Sequence, residues 1–320
     1  MSTYSSGPGA PDTSLNKDRK RTEELLVKLC NPGGPLARNS PRATAKLYEM
    51  ERDRTAFHKE FIERFISDTA EAGKDGLAAI FTAGPPGSGK STTIDELNED
   101  LSGYRRLDAD EIKNILLEKA LEEGIFADLL SRQLPDGRPI LPNELAVLVH
   151  EESADLHNAL IRRSMEDRVN VIVEGTFSWP GLVERYMGWL VAMDYNRLRI
   201  IDVEVALAHA QAQASNRWWC SRQNYFTNHD LAPLGGRFTP PSAIQTVYRT
   251  GKSSSSCNAN AVSMFNKAVD SNLFDQVDLR VYIDGAKIPD MYSTQKGQAA
   301  PVRPEPLILN RLTGTVSEGM

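Results

Sequence analysis

The chain has 320 residues, of which 40% are hydrophobic and 25% are charged, proportions typical of a globular protein with one large or two small domains. Its formal net charge of −6 argues against a broad nucleic-acid surface, because such surfaces make a domain basic. The sequence contains no run of ~18 apolar residues and no apolar leader, so we expect a cytoplasmic protein without a membrane contact. Its three cysteines lack the spacing of a metal site and fit reduced thiols.

The first 75 residues are predicted to contain two kinds of segment. Residues 1–20 are polar and have few large apolar side chains, which predicts disorder. From residue 21 to residue 75 apolar side chains recur at helical spacing, which predicts a helical preamble. A stretch rich in Pro and Gly at 31–35 must end its first, short helix, and a longer helical pattern runs from about residue 41 to residue 72.

Residues 76–287 alternate short apolar runs with helical stretches. The apolar runs lie at 77–83, 169–173, 198–205 and 277–283, with a weaker one at 104–108. Helical patterns lie at about 143–167, 180–194 and 241–271. Strands that alternate with helices predict an α/β fold, in which a parallel sheet carries helices on both faces. Residues 288–320 are rich in Pro and Gln and are predicted to form an extended tail.

Residues 84–91 read Gly-Pro-Pro-Gly-Ser-Gly-Lys-Ser, a complete match to the phosphate-binding pattern G-x-x-x-x-G-K-[ST]. Glycines let successive backbone N–H groups turn inward around a phosphate, and the following helix adds its positive N-terminal end. We expect Lys90 to reach the β- and γ-phosphates of ATP, and the Ser91 hydroxyl to bind Mg²⁺. The predicted nucleotide-binding residues are Gly84, Pro85, Pro86, Gly87, Ser88, Gly89, Lys90, Ser91 and Thr92. The loop alone does not distinguish a kinase from an ATPase or a nucleotide-gated binding protein.

Two acidic motifs follow predicted strands, at the edge where ligands bind in open α/β sheets. In Asp108-Ala109-Asp110, Asp110 could accept the proton of a substrate hydroxyl that attacks the γ-phosphate. Alternatively, Asp110 caps the next helix, and Asp108 is interpreted as structural. Glu174 ends an apolar run in the manner of a Walker B acid, so it is a candidate to hold a Mg²⁺-bound water; otherwise it is only a polar strand end. Thr176 adds a hydroxyl at the same edge.

Two arginines, Arg217 and Arg237, lie in the long segment without a clear strand that precedes the last apolar run. In nucleotide kinases such an insert closes over the phosphates as a lid. Arginines in a lid stabilise the charge of the transferring phosphoryl group. The alternative is that both are ordinary solvated surface residues.

These motifs together resemble those of the zeta toxins, P-loop kinases that phosphorylate UDP-N-acetylglucosamine. The resemblance spans about residues 77–283 and is carried by the phosphate loop, the Asp-x-Asp strand end, the Glu-Gly-Thr strand end and a Gly-Arg-x-Thr-Pro element in the lid. It implies that residues 76–287 form a P-loop kinase domain that uses ATP and Mg²⁺. Asp110 then becomes the base, and Thr176 a substrate contact. The catalytic residues that the resemblance implies are Asp110, Lys90, Arg217 and Arg237.

The sequence departs from the zeta-toxin pattern on the substrate side. Asn158 stands where the family has a substrate-binding Glu, and the basic residue that follows Glu-Gly-Thr in the family is missing here. Glu151, Glu152 or Asp155, one or two turns earlier, could supply the acid. The predicted substrate-binding residues are Thr176, Glu174, Glu151 and Asn158, and the predicted Mg²⁺ ligands are Ser91 and Glu174.

The sequence therefore predicts a kinase that transfers the ATP γ-phosphate to a hydroxyl of a small molecule, with UDP-N-acetylglucosamine as the first acceptor. The alternatives are an effector-type kinase of NAD or of another nucleotide or antibiotic hydroxyl, and a non-catalytic nucleotide-binding regulatory protein. A GTPase switch ranks lowest, since the sequence has no Asn-Lys-x-Asp motif for guanine. The expected partners are the small-molecule substrate and an antitoxin protein, with no nucleic acid and no membrane.

Overall fold

One mixed sheet forms the centre of the chain. The structure, a computed structural model, describes residues 13–49, 51–69, 72–74, 77–97, 101–248, 255–298 and 302–306. The strands within these ranges are β1 (Ala78–Ala83), β2 (Arg105–Asp108), β3 (Val171–Glu174), β4 (Arg197–Glu204), β5 (Gln276–Ile283) and β6 (Asp290–Gln295). Their order across the sheet is β2-β3-β1-β4-β5-β6. Every neighbouring pair is parallel except β5 and β6, which are antiparallel.

The predicted α/β fold is confirmed, and burial explains why these runs are strands. β1 and β3 are buried at every position, as strands covered on both faces require. Side chains alternate along a strand, so Phe81 faces the main hydrophobic core whereas Ile80 packs with Ile94 in a smaller cluster. Apolar side chains therefore cover the sheet on both faces.

Eleven α-helices are formed by the part of the chain that the structure describes. They are α1 (Thr13–Cys30), α2 (Thr44–Leu47), α3 (Arg52–Asp68), α4 (Lys90–Asp95), α5 (Ala109–Glu122), α6 (Ala127–Leu130), α7 (His150–Glu166), α8 (Gly181–Ala192), α9 (Leu207–Thr227), α10 (Pro241–Gln245) and α11 (Ser256–Ser271). Short 3-10 helices lie at Pro142–Leu145 and His229–Leu231. None of the helices in these ranges combines the length and the apolar character that crossing a bilayer requires.

The N-terminal helices pack into the same core as the domain that follows them. Leu26 and Leu29 of α1 and Phe61 of α3 are buried in the main hydrophobic cluster. Arg54 of α3 is buried as well, and its guanidinium donates two hydrogen bonds to the carboxylate of Glu152 on α7, at 2.6 and 3.0 Å. The helical preamble therefore packs against α7 and shares the main core.

Two predicted terminal segments contain regular structure. Helix α1 begins at Thr13, so the prediction of disorder is wrong for residues 13–20; residues 1–12 lie outside the described ranges. Strand β6 lies within the predicted extended tail, so that prediction is wrong for residues 290–295, and residues 307–320 lie outside the described ranges. Both elements are stabilised by distant partners: α1 buries its leucines in the core, and β6 pairs along β5.

Three long helical predictions are interrupted in the structure. The pattern at 41–72 forms α2 and α3, the pattern at 143–167 forms a 3-10 helix followed by α7, and the pattern at 241–271 forms α10 and α11. Residues 249–254, between the last two helices, lie outside the described ranges.

The parallel strands all end at one edge of the sheet. β1 runs directly into residues 84–89, β2 ends at Asp108, β3 at Glu174 and β4 at Glu204. In open parallel sheets ligands bind at the carboxyl ends of the strands. The functional residues predicted from the sequence are therefore expected at this edge.

Candidate active site

The loop at 84–89 has a backbone that its glycines make possible. Gly84 has φ +136°, a region that side chains disfavour. A Cβ at this position would lie 2.3 Å from the carbonyl oxygen of Val203. The loop therefore lies directly against the end of β4, and it leads into α4 at Lys90.

Lys90 lies within its own loop. Its Nζ donates hydrogen bonds to the carbonyl oxygens of Gly84 and Pro85, at 2.9 and 2.8 Å. Burial lowers the pKa of the Lys90 ammonium, and the negative charges of Asp110 and Glu204 oppose that effect. The lysine thus lies where a phosphate bound by the loop would meet it.

Ser91, in the first turn of α4, and Glu174, at the end of β3, come together at the carboxyl edge of the sheet. The Ser91 hydroxyl donates to Glu174 Oε2 at 3.3 Å. The other carboxylate oxygen of Glu174 is ion-paired with Arg106, which also contacts Asp95 at 2.9 Å. Glu174 therefore contacts Ser91 and Arg106, and its roles as a Mg²⁺ ligand and as a substrate contact stay predictions.

Asp108, not Asp110, caps helix α5. The backbone N–H of Asp110 donates to the Asp108 carboxylate at 2.8 Å, and α5 begins at Ala109. Burial raises the pKa of Asp108 to about 6, although that hydrogen bond opposes the shift. The capping interpretation of Asp110 is thereby removed, and Asp108 has the structural role predicted for it.

Asp110 is held between two cations. Lys113 Nζ lies 2.9 Å from one carboxylate oxygen and Arg237 Nη1 lies 2.5 Å from the other, while the Asp110 side chain remains 47% exposed. Burial raises the pKa of Asp110, but Lys113, Arg237 and Arg217 outweigh it and hold this pKa well below its usual range. Asp110 is accordingly ionised at neutral pH.

Of the two predicted lid arginines, Arg237 contacts Asp110 directly, whereas Arg217 acts on Asp110 through its charge. Arg217, on α9, is exposed, and its positive charge lowers the pKa of both Lys90 and Asp110. Arg19 of α1 contacts the residues just before it, donating to Ser215 Oγ and Asn216 Oδ1 at 2.8 Å each. The N-terminal helix thus contacts the helix that carries Arg217.

Arg237 is placed by close packing between its loop and α9. A Cβ on Gly236 would lie 2.0 Å from the carbonyl oxygen of Trp218, so only glycine permits this approach. The Trp218 ring packs edge-on against Phe238, with ring centroids 5.2 Å apart, and its indole N–H donates to Glu144 at 2.9 Å. Gly236, before Arg237, therefore packs against the backbone of α9, and Phe238, after it, packs against the buried Trp218 ring.

A buried network of ion pairs anchors α9, the helix that carries Arg217. Arg222 is fully buried and donates to Glu144 at 2.9 and 3.0 Å and to Asp136 at 2.8 Å. Burial raises the pKa of Glu144, while Arg222 acts to lower it. No pattern in the sequence indicates this network, because Arg222 lies 78 residues from Glu144 and 86 residues from Asp136 along the chain.

The predicted substrate-side residues are spread more widely. Thr176 lies beside the phosphate loop: its carbonyl oxygen accepts from the Gly84 N–H at 3.1 Å, and its hydroxyl donates to Ser178 Oγ at 3.1 Å. Asn158 is partly exposed on α7. Glu151 is partly exposed and lies 3.6 Å from Arg38 of the preamble.

Glu152, one of the acids considered as a replacement for the family's Glu, is not available to a substrate. It is buried, and it accepts hydrogen bonds from Arg54 and contacts His58 at 2.6 Å. Its role is to join α3 to α7. Of the three candidate acids, Glu151 and Asp155 remain exposed to solvent at least in part.

A second pair of acids, missed in the sequence, lies behind the phosphate loop. Asp202 and Glu204 are fully buried at the end of β4. Asn258 Nδ2 donates to Asp202 at 2.6 Å, and Ser255 Oγ donates to Glu204 at 2.7 Å. Burial raises the pKa of both carboxyls, and the neighbouring Asp202 charge adds to the shift at Glu204. The signal in the sequence was an apolar run that ends in Asp-Val-Glu.

Lys113, Asn114 and Arg106 were also missed, although local periodicity could have indicated them. Lys113 and Asn114 follow Asp110 by three and four residues on α5, the spacing at which helical side chains share a face. Arg106 precedes Asp108 by two residues on β2, and side chains two apart lie on the same face of a strand. All three depend on elements whose pattern in the sequence was weak.

Comparison with known proteins places this site in a recognised fold. Residues 80–229 match the model of an AAA domain. No curated protein sequence matches the chain. Among solved structures, the AvrRxo1-ORF1:AvrRxo1-ORF2 complex with ATP has a TM-score of 0.52 at 14% identity, covering 93% of this chain and 76% of that one. The native AvrRxo1-ORF1:ORF2 complex has a TM-score of 0.50 at 13% identity, covering 78% and 70%.

A structure of the PezAT toxin–antitoxin system of Streptococcus pneumoniae has a TM-score of 0.44 at 13% identity, covering 70% of this chain and 76% of that one. At such identities the likeness to the AvrRxo1-ORF1 structures concerns the fold alone. It agrees with the matched AAA domain and with the sheet order around the phosphate loop. The chain therefore shares the fold of the AvrRxo1-ORF1 structures, a mostly parallel sheet with helices on both faces, and in this chain the phosphate loop follows β1.

Proposed function

We propose that this chain is an ATP-dependent kinase that phosphorylates a hydroxyl group of a small molecule. The observation that carries the proposal is the position of Asp110. Its carboxylate is ionised and 47% exposed, its charge lies close enough to Lys90 of the phosphate loop to raise the pKa of that lysine, and it contacts Arg237. A protein that only binds nucleotide has no need for a base at this place.

The nucleotide side of the proposal consists of residues 84–92. Backbone N–H groups of the loop would cradle the phosphates of ATP, and Lys90 would turn from the carbonyl oxygens of Gly84 and Pro85 to the β- and γ-phosphates. An AvrRxo1-ORF1 structure contains ATP, which supports ATP as the donor.

Ser91 and Glu174 fit a magnesium ion. A hydroxyl and a carboxylate oxygen 3.3 Å apart are the hard oxygen donors that Mg²⁺ takes together with phosphates and water. Arg106 occupies the second oxygen of Glu174, which leaves one oxygen for the ion or for its water. When bound, Mg²⁺ would neutralise negative charge on the β- and γ-phosphate oxygens.

In the proposed reaction Asp110 accepts the proton of the acceptor hydroxyl. The acceptor oxygen forms a bond to the γ-phosphorus while the bond from that phosphorus to the β–γ bridging oxygen breaks, and ADP leaves. Lys90, Arg217 and Arg237 stabilise the negative charge on the transferring phosphoryl oxygens. Lys113 keeps Asp110 ionised and oriented until the proton arrives.

The first acceptor in this proposal is the nucleotide sugar UDP-N-acetylglucosamine, and the alternative acceptor is NAD. Retention of Asp110, of Thr176 beside the loop and of both lid arginines supports the nucleotide sugar. Asn158 in place of an acid argues for a different binding mode, because a site loses affinity when a partner of a substrate hydroxyl is replaced. Since Glu152 is occupied by Arg54, Glu151 is the acid most able to take over this role.

The test is a transfer assay with ATP labelled at the γ-phosphate. UDP-N-acetylglucosamine, NAD, nucleosides and aminoglycosides are offered separately, and Asp110→Asn serves as the matched control. A labelled product that disappears in the control supports the kinase assignment. Binding of ATP without any labelled product would instead favour the non-catalytic binding protein.

A competition experiment then identifies the acceptor. UDP-N-acetylglucosamine and NAD are offered at equal concentration, and the products are identified by mass spectrometry. Phosphorylated NAD alone would remove the nucleotide-sugar assignment and leave the kinase assignment intact.

An antitoxin protein is also part of the proposal. AvrRxo1-ORF1 occurs in a complex with AvrRxo1-ORF2, which supports a search for a protein partner of this chain. The test is co-purification with the product of an adjacent reading frame, followed by the transfer assay on the complex. A partner that binds without lowering transfer would not be an antitoxin.

A further inference from the structure

Arg237 is tied to the first turns of α5 by three polar contacts. Its Nη1 lies 2.5 Å from the Asp110 carboxylate, and its Nη2 donates to the Asp110 carbonyl oxygen at 3.0 Å and to Asn114 Oδ1 at 2.9 Å. Asn114 follows Asp110 by four residues, so both present their side chains on one face of the helix. Together they grip both terminal nitrogens of the guanidinium.

The third nitrogen of this guanidinium is unsatisfied. Within the described part of the chain, Arg237 Nε is buried and has no hydrogen-bond partner, a situation that costs free energy for a charged group. An anion with several oxygens could satisfy that donor. The contacts with α5 therefore leave one donor of the Arg237 guanidinium unsatisfied.

We infer that Asn114 is a positioning residue that, with Asp110, holds Arg237 on α5 until a nucleotide phosphate competes for it. This inference depends on the proposed function in one respect, namely that Arg237 binds the phosphates of ATP. The loop backbone at Gly236 is fixed against Trp218, so the change is one of the side chain. ATP and the first turns of α5 thus compete for one guanidinium.

The competition has a consequence for the base. While Arg237 and Lys113 both contact the Asp110 carboxylate, its oxygens are occupied and its affinity for a proton is low. When Arg237 leaves, one oxygen becomes available to the acceptor hydroxyl. ATP binding then precedes productive use of the acceptor.

The test measures binding of the non-hydrolysable analogue AMP-PNP with Mg²⁺ by calorimetry, in a double-mutant cycle. Asn114→Ala removes part of the grip on Arg237, so the affinity for AMP-PNP should rise by about 5-fold, the lower range of measured couplings between sites. In an Arg237→Ala background the same substitution should have no effect. Asn114→Asp strengthens the contact with Arg237 and should lower the affinity for AMP-PNP. In the Arg237→Ala background the same substitution should lower this affinity by less.

Asn224→Ala is the matched control, since Asn224 lies on α9 about two helical turns beyond Arg217, and it should leave the affinity unchanged. The inference is overturned if Asn114→Ala leaves the affinity unchanged or lowers it, or if the gain persists without Arg237. Partial unfolding would lower the affinity for AMP-PNP in both variants. It therefore cannot explain a higher affinity for Asn114→Ala together with a lower affinity for Asn114→Asp. Failure of the proposed kinase function would appear elsewhere, as an absence of labelled product in the transfer assay while the binding cycle holds.

Discussion

The carboxylate of Asp108 accepts a hydrogen bond from the backbone N–H of Asp110 at 2.8 Å, so two acids separated by one residue have different tasks. Asp108 ends β2 and caps α5, whereas the Asp110 side chain points to the lid arginine. The two acids differ in role because only the Asp108 carboxylate lies at the cap position of α5. This difference can be tested by changing each acid separately.

Asp110→Asn is expected to lower phosphoryl transfer by about 10²- to 10⁴-fold, because a positioned base contributes that much. Asp108→Ala is expected to lower the free energy of unfolding by about 0.5–2 kcal/mol, since it removes a helix cap. Single-turnover transfer and urea unfolding of both variants separate the two roles. Full transfer by folded Asp110→Asn would show that Asp110 is not the base.

Gly84→Ala is expected to weaken AMP-PNP binding and to destabilise the fold by about 1–3 kcal/mol, because φ is +136° and the new Cβ would meet Val203 O at 2.3 Å. Gly188→Ala, on α8 with no atom within 4 Å of the added Cβ, is the control. It should be neutral or stabilise the protein by up to about 1 kcal/mol. Equal behaviour of the two variants in binding and unfolding experiments would contradict the strained geometry of the loop.

Arg237→Ala is expected to lower turnover by about 10³- to 10⁵-fold, the contribution of an arginine to the transferring phosphoryl group. Arg237→Lys should fail as well, because a point charge cannot reproduce a planar fork that uses two terminal nitrogens. Arg185→Lys, on α8 over the Trp179 ring, serves as the control in the same kinetic measurement. A fully active Arg237→Lys variant would mean that only the charge matters.

Arg222→Ala is expected to lower the free energy of unfolding by about 3–5 kcal/mol, since it leaves the buried carboxylates of Glu144 and Asp136 without their partner. Arg162→Ala removes an exposed pair with Glu166 and should cost under about 0.5 kcal/mol. Urea unfolding measures both. A small loss for Arg222→Ala would show that water replaces the guanidinium.

We expect the contact between Glu152 of α7 and Arg54 of the preamble to be sensitive to acid. Burial raises the pKa of Glu152, but hydrogen bonds from His58 and Arg54 outweigh burial and lower the pKa from 4.5 to about 2. A depressed carboxyl pKa stabilises the fold above the unfolded value, and this contribution is lost as the pH falls from about 4.5 to about 2. The difference in unfolding free energy between the protein and Glu152→Gln should therefore shrink over that range. A constant difference would remove Glu152 from the acid response.

The parts of the fold and site that the sequence predicted are those with local signals. β1 and β3 are continuous apolar runs, and the phosphate loop is a contiguous motif, so position along the chain was sufficient. Asp110, Arg217 and Arg237 were indicated by their place after predicted strands and in the lid. Asp110 lies just after the end of β2, at the edge where the parallel strands end, and Arg237 contacts it there.

What the sequence did not predict depends on partners far away in the chain. β6 is mostly exposed and polar, and it is a strand because it pairs with β5. The first part of α1 looks disordered by composition, but its later turns bury Leu26 and Leu29. The ion pair between Arg54 and Glu152 likewise joins residues that are 98 positions apart in the chain. Hydrophobic periodicity does not indicate such a pair.

The contact between Arg19 and the turn of α9 before Arg217 gives the first helix a share in the geometry of the lid. A fragment cut to begin at residue 76 would lack that restraint, as well as the leucines that fill the core and the arginine that neutralises Glu152. Such a fragment would expose the apolar core residues that α1 covers and would leave Glu152 buried without the positive charge of Arg54. We therefore expect the smallest part of this chain that folds on its own to be larger than residues 76–287 and to include the N-terminal helices.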